Sequence, residues 1–305
     1  MTADSYEGLL LVDKSAGLTS HDVVDRVRRG CKLRRVGHGG TLDPMATGLL
    51  PLVLGRATRL VRFLPHSPKE YTGRLRLGCT TNTDDRTGRV LTRHPGPLPE
   101  AGRVVAEARL LEGTHAQVPP DVSARHVGGR RMYELARAGA RIEAPATEVE
   151  VSRFELSPTP DPEIYDFTAE VSAGTYIRAL ARDLGRELGC GGLLESLRRT
   201  RIGPMRLEDA RALPDDRPTR SWLLGALIPL EQMPMTLSVI RLSDMDQARR
   251  FALGQALRVG GETEVKGQVR VLDPSGALLG IADGRDEALY PRVVLADRDG
   301  PQARP

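Results

Sequence analysis

Disulfide bonding, metal binding and membrane insertion all lack their usual residues in this sequence. Only three of the 305 residues are cysteines: Cys31, Cys79 and Cys190. They are odd in number, far apart and without C-x-x-C spacing. They read as reduced thiols, not as a disulfide frame or a zinc site. The six histidines are scattered, so no metal site is indicated. No apolar run approaches the roughly 20 residues of a membrane span. The first residues, Met1-Thr2-Ala3-Asp4-Ser5, show neither the basic nor the apolar region of a signal peptide, and a cytoplasmic location is expected. Lysine is also scarce, with only Lys14, Lys32, Lys69 and Lys266, so arginine carries most of the positive charge.

The remainder is ordinary for a globular protein: 40% hydrophobic and 28% charged residues. The length suits one large domain or two unequal ones. A net charge of +4 says little about partners, but its distribution says more. Arg26 to Arg35 holds six basic side chains in ten positions with no acid. Arg198-Arg199-Thr200-Arg201 and Arg130-Arg131 form two further clusters. Such clusters suit phosphate contact, although a solvated basic face looks the same in sequence.

Periodicity predicts short buried strands at Leu9–Val12 and Leu49–Leu54, and an alternating strand over Tyr71–Leu77 that turns Tyr71 inward. Thr19, with Asp22 three positions on, predicts a capped helix with Val23, Val24 and Val27 on its apolar stripe. A helix is expected over Pro99–Leu111 and another after Gly174-Thr175, striped by Ile177, Leu180, Ala181, Leu184 and Leu188. Residues 117–139 are polar and glycine-bearing, an excursion from the core with a helical tail around Tyr133, Leu135 and Ala136. Arg211–Arg220 reads as a loop, Trp222–Leu227 as a short helix and Pro229–Pro234 as a linker. A small β-rich unit of about 70 residues follows, with a helix at Ser243–Leu253 and a hairpin turning at Asp273-Pro274-Ser275-Gly276. The expected fold is α+β, with a mixed, largely antiparallel sheet flanked by helices.

Chemistry concentrates in Gly37-His38-Gly39-Gly40-Thr41-Leu42-Asp43-Pro44. Glycines permit close backbone approach, and the proline restricts the residue before it. Asp43 is therefore placed by the chain, as a catalytic carboxylate must be, although turns use such aspartates more often. Arg178 falls in the first turn of its expected helix, with Thr175 as the expected cap. A cation there opposes the helix dipole at a cost of roughly 0.3–1 kcal/mol. An external anion, a phosphate or a partner carboxylate must offset it. If the partner is Asp43, the pair fixes the direction of that carboxylate. Tyr71 fits either the core or a platform for an extruded base, and His38 fits either a turn or the space left by a flipped nucleotide.

Taken in order, the Asp43 loop, Lys69-Glu70-Tyr71, Gly174-Thr175-Tyr176-Ile177-Arg178 with Asp183-Leu184-Gly185, and Leu197-Arg198-Arg199-Thr200 resemble the motifs of the TruB family, the bacterial tRNA pseudouridine-55 synthases. Gln117-Val118-Pro119-Pro120 and Tyr133-Glu134-Leu135-Ala136-Arg137 resemble that family's RNA-gripping insertion, and the tail resembles its small PUA-like domain. The resemblance implies a catalytic pseudouridine synthase domain over 1–232 and an RNA-binding domain over 235–300. It implies Asp43 as nucleophile or base, Arg178 as its ion-pair partner and Tyr71 stacked on the uracil. It further implies His38, Gly40, Thr41, Tyr176, Leu197 and Arg198 as substrate contacts. The implied partner is the tRNA T-arm, met by a monomer with no guide RNA, no cofactor and no metal. Two departures stand out: Lys14-Ser15 where members commonly have Lys-Pro, and Arg125-His126 where an apolar residue and lysine are usual. A purely RNA-binding protein would carry the same basic clusters but would not need an inward carboxylate. A guide-dependent relative would not need its own insertion.

Overall fold

Leucine and valine fill both faces of the first strand, β1 (Gly8–Lys14), and of β3 (Thr47–Leu54), as happens when a strand is covered on both sides. The computed structural model describes residues 6–120, 126–127, 130–131, 145–258 and 265–295. Between those two strands run α1 (Ser20–Gly30) and β2 (Val36–His38). Then come β4 (Lys69–Leu77), β5 (Cys79–Thr81), β6 (Val90–Arg93), α2 (Ala101–Arg109) and β7 (Gly113–Gln117). The two-residue strands β8 (His126–Val127) and β9 (Arg130–Arg131) precede β10 (Thr147–Pro158), β11 (Ile164–Val171), α3 (Ile177–Glu187) and β12 (Gly192–Ile202). Short strands β13 (Met205–Arg206), β14 (Arg211–Ala212) and β15 (Leu227–Ile228) follow, with α4 (Arg220–Leu224) between the last two.

The principal sheet has eleven strands in the order β14-β1-β3-β12-β4-β11-β10-β7, with β13, β15 and β2 attached to β12, β1 and β3. Its pairs are antiparallel except β1 with β14 and β3 with β12. The expected α+β architecture and mixed sheet are present, and the tail forms a second sheet of five strands. The capping box at Thr19 is also present: Asp22 N–H donates to Thr19 Oγ1 at 3.0 Å, and Thr19 N–H to Asp22 Oδ2 at 2.8 Å. The expected ends shift by a few residues. The strand of Tyr71 begins at Lys69, and the helices run Ala101–Arg109 and Arg220–Leu224. The supposed loop after Arg211 begins with β14 paired to β1. Most of the 117–139 excursion, including its expected helical tail, lies outside the described residues.

Strand parity divides the core. Leu10, Val12, Leu50, Leu52 and Leu54 face one cluster with Val23, Val27, Tyr71, Ile177, Leu180 and Leu184. Leu9, Leu11, Leu49 and Val53 face a second cluster, shared with Leu278, Ile281, Val293 and Leu295 of the tail. The tail sheet takes the order β16 (Ser238–Arg241), β18 (Gly267–Leu272), β19 (Leu278–Arg285), β20 (Ala288–Val294), β17 (Leu257–Arg258). Its helix α5 (Met245–Ala252) is capped by Asp244 and shorter than expected. The expected hairpin turn closes on Asp273, whose Oδ1 accepts the Ala277 N–H at 2.9 Å.

The expected linker is a correction. Leu230, Met233 and Met235 are buried in the second cluster, because the back face of β1 and β3 is apolar and must be covered. Arg56 and Arg59 also reach across to the carbonyls of Leu295 and Val294. The tail thus has its own small core, around Phe251, Val269 and Leu289, and also shares the second cluster with the principal sheet. Deleting residues 236–305 removes Leu278, Ile281, Val293 and Leu295 from that cluster. The truncated protein should melt at least about 5 °C lower in a thermal scan or be recovered insoluble. An unchanged melting midpoint would show that the shared cluster contributes nothing.

Candidate active site

The loop carrying Asp43 is tied down from three directions. Ser20, at the start of α1, donates through Oγ to the Leu42 carbonyl at 3.2 Å and accepts the Leu42 N–H at 2.9 Å. At the end of β1, Lys14 Nζ donates to the carbonyls of Pro44 (3.3 Å), Leu18 (2.7 Å) and Ser15 (3.0 Å), while Gly17 N–H reaches Pro44 O at 2.8 Å. From β12, Arg199 spreads its guanidinium over the carbonyls of Leu49 (2.8 Å), Thr41 (3.2 Å) and Gly40 (3.2 Å). A glycine is obligatory where this strand passes: at Gly48, with φ +99°, a Cβ would lie 2.3 Å from the Arg199 carbonyl oxygen.

Arg178 reaches the loop from the other side. Its Nε donates to Asp43 Oδ2 at 2.9 Å and its Nη2 to Asp43 Oδ1 at 3.3 Å, a bidentate fork across 135 residues of sequence. Nη1 donates to the Thr83 carbonyl at 2.9 Å, and Asp85 Oδ2 lies 3.9 Å from Nε. Arg178 sits in the first turn of α3, as expected, and these acceptors offset the opposing dipole. The cap is not Thr175, whose hydroxyl faces Ser172 at 3.3 Å, but Tyr176. The helix is set close to the sheet at Gly185, where a Cβ would fall 2.1 Å from the Gly192 nitrogen. The Arg178 side chain is 5% exposed and that of Asp43 34%. One side of the carboxylate is therefore held by protein and the other is open to a ligand.

Tyr71, 6% exposed, stands on β4 opposite Arg199 of β12, and Arg199 in turn pairs with Gly48 of β3. Two strand spacings of about 4.8 Å thus separate the tyrosine from the strand that follows the Asp43 loop. Leu42, Met45, Tyr71, Ile177 and Leu197 share one apolar cluster. Tyr176 is half-buried, Gly40 half-buried and Thr41 exposed. His38 pairs with Leu52 across β2 and β3, and its Nδ1 is buried without a hydrogen-bond partner. Burial, then the Arg199 charge, pushes that imidazole below its ordinary pKa.

A family model for the N-terminal domain of TruB family pseudouridylate synthases matches residues 28–177, and two TruB C-terminal models match 178–233 and 239–295. The tRNA pseudouridine synthase B of Thermobifida fusca is 43% identical over 300 residues, covering 95% of this chain and 99% of the relative. This chain belongs to the TruB family. As a member it is an isomerase that converts uridine to pseudouridine in tRNA. The tRNA pseudouridine synthase B of Leifsonia xyli subsp. xyli is 45% identical over 289 residues, covering 91% of this chain and 93% of that one. Among solved structures, a chain of a Cbf5–Nop10–Gar1 complex superposes with TM-score 0.69 at 26% identity, covering 96% of this chain and 86% of that one.

In this TruB-family enzyme the arginines of the Arg198–Arg201 cluster all have partners within the protein. Arg198 forks onto Asp13 at 3.1 and 2.7 Å, Arg199 is fully buried, and Arg201 pairs with Glu170. Arg199 is thereby withdrawn from any external phosphate, whereas the Arg198 side chain stays partly exposed. Of the first cluster, Arg28 and Arg29 pair with Asp25, while Arg26, Lys32, Arg34 and Arg35 are exposed. The side chains of Arg130 and Arg131 lie outside the described set. Among the described residues no helix is long and apolar enough to cross a membrane.

Sequence reasoning missed three supports. Arg199 shares strand parity with the inward Leu197, and a charge at an inward position was the available signal. Asp85, 5% exposed, accepts from Thr87 N–H and Thr87 Oγ1 at 2.9 and 2.6 Å inside the unread Thr81–Gly88 turn. Lys14, noted in the sequence only beside a departure from the family pattern, is fully buried behind Asp43. Burial lowers its pKa from 10.5 to about 8, against the opposing pull of Asp43. Between those two values the unfolded chain binds more protons than the folded one, so this group's contribution to stability rises with pH there. Relative to Lys14→Met, the wild-type protein should gain stability between pH 8 and pH 10 in urea titrations. A difference independent of pH over that range would contradict the lowered value.

Proposed function

We propose that this protein isomerises the uridine at position 55, in the T-loop of tRNA, acting alone and without a guide RNA. The observation that carries the reading is the Asp43–Arg178 fork: a carboxylate aimed by a buried guanidinium, with its remaining side open to solvent. The reaction cuts the N1–C1′ bond, rotates the base and forms a C5–C1′ bond, while the C5 proton leaves and N1 gains one. Atoms balance with no net oxidation, so no redox cofactor is needed. Asp43 supplies either the nucleophile at C1′ or the base that starts glycal formation at the sugar. Both routes require one anionic oxygen held in a fixed direction, which a two-point clamp provides.

Tyr71 serves as stacking partner for the uracil and takes part in moving the C5 proton. Tyr176 and Leu197 line the space for the base, with Gly40 and Thr41 at its rim. His38, neutral at physiological pH by its burial, fills the room left in the opened loop. Arg198, held by Asp13 but partly exposed, offers its remaining N–H groups to the substrate. The exposed basic residues of Arg26–Arg35 supply backbone contacts to the tRNA. The enzyme works as a cytoplasmic monomer, with residues 1–232 for chemistry and 235–300 for RNA binding.

The test incubates purified protein alone with one tRNA transcript and maps the modified uridines. Pseudouridine at the T-loop position, with no other macromolecule added, is the expected result. Modification confined to other uridines, or appearing only after a guide RNA or second protein is supplied, would overturn the reading.

A further inference from the structure

Gln117 was expected in an RNA-gripping motif, yet its side chain is turned inward and is 2% exposed. It stands at the end of β7, an edge strand, and meets a residue 59 positions away. Its Oε1 accepts the Tyr176 N–H at 2.8 Å and its Nε2 donates to the Tyr176 carbonyl at 3.2 Å. One primary amide thus closes a ring with the backbone of one residue, as a neighbouring strand would. Tyr176 is the N-cap of α3 and has no side-chain cap of its own. Its carbonyl also accepts the helical bond from Leu180 N–H at 3.2 Å. The amide therefore stands where the capping-box partner of the N-cap N–H would, and it orients the peptide planes on both sides of Tyr176. Two residues later comes Arg178, whose fork on Asp43 depends on where the first turn of α3 begins. The next residue after Gln117 is fixed independently: Arg182 Nη2 donates to the Val118 carbonyl at 2.8 Å, while Nη1 of the same guanidinium pairs with Asp84 at 3.2 Å.

We propose that Gln117 is a positioning residue for the reaction: through its two bonds to the Tyr176 backbone it sets the pitch of the first turn of α3, and with it the aim of the Arg178–Asp43 fork. This rests on the assignment of Asp43 and Arg178 to the reaction. A buried amide is costly unless both its donor and its acceptor are used, so the site selects glutamine over its isosteres. Methionine fills the same space with neither bond. A carboxylate in that place accepts the N–H but faces the Tyr176 carbonyl without a donor, until it is protonated. Asparagine is one methylene too short.

The experiment measures single-turnover rate and tRNA dissociation constant for Gln117→Met and Gln117→Glu, with melting midpoints and with Asp43→Asn as reference. The expected result for Gln117→Met is a rate loss of about 30-fold or more with affinity within about threefold, since the residue acts on geometry and not on RNA contact. For Gln117→Glu the rate relative to wild type should climb about tenfold as pH falls from 8.5 to 6, because burial raises the introduced carboxyl's pKa and its proton restores the donor. Weakened affinity with an undiminished rate would overturn the proposal, as would a rate ratio flat in pH. If Gln117→Met fails to fold, the pH ratio within Gln117→Glu decides alone. An active Asp43→Asn would instead remove the underlying site assignment. An inactive Asp43→Asn beside two fully active Gln117 variants removes only this inference.

Discussion

Asp43→Asn should bind tRNA within about threefold of wild type while its pseudouridine formation falls by ~10³-fold or more. The substitution keeps the shape of the side chain and removes only the anionic oxygen. In the proposed reaction, whether by attack at C1′ or by proton abstraction from the sugar, that oxygen is the reacting atom. Affinity should survive because the RNA-facing surface is untouched and Asp43 is a small part of it. One consequence belongs to the protein itself. The introduced amide cannot accept both N–H groups of Arg178, and the unmet donor is buried, a loss of about 1–3 kcal/mol. Melting curves should therefore accompany the assay, so that a folded, binding, inactive protein is distinguished from an unfolded one. A folded variant that turns over at the wild-type rate would remove Asp43 from the chemistry.

Arg178→Lys should lose about 10²–10³-fold in single-turnover rate although the charge is conserved. Guanidinium geometry explains why. Nε and Nη2 grip the two oxygens of Asp43 while Nη1 holds the Thr83 carbonyl at 2.9 Å, three acceptors spread around one plane. An ammonium is a point donor and cannot span them. Arg178→Met should do worse, because the carboxylates of Asp43 and Asp85 would face each other with no cation between them, destabilising the fold by about 3 kcal/mol. Measured side by side, the lysine variant should keep most of the melting temperature and little of the rate. A lysine variant with full activity would show that charge alone suffices and that the bidentate fork is incidental.

The contrast between the arginines shows where sequence reading stops. Strand parity predicts that Tyr71 points inward, and it is buried. Helical spacing predicts the buried face of α3, and the capping box at Thr19 is legible in four residues. These are local regularities: a period of two or 3.6, a cap, a glycine beside a proline. The fate of a charged group is not local. Arg198, Arg199 and Arg201 lie within four residues of each other, while Arg178 comes from a distant helix. Arg178 forks onto Asp43, Arg198 pairs with Asp13, Arg199 is sealed under the Gly40–Thr41 backbone and Arg201 pairs with Glu170. Nothing near Gln117 in sequence supplies its partner, the Tyr176 backbone 59 residues away, and Lys14 reaches Pro44 across 30 residues.

The chain alone determined the loop that carries Asp43, the inward faces of its strands and helices, and the motif order that marks the family. Each of these follows from steric limits and burial acting over a few neighbouring residues. Tertiary structure decided which cation meets which acceptor and which carbonyls need a buried donor. It also decided that the tail sheet closes the back of the principal one. Those outcomes depend on strands from distant parts of the chain lying about 4.8 Å apart, and on a low-polarity interior that forces every enclosed charge to find a partner.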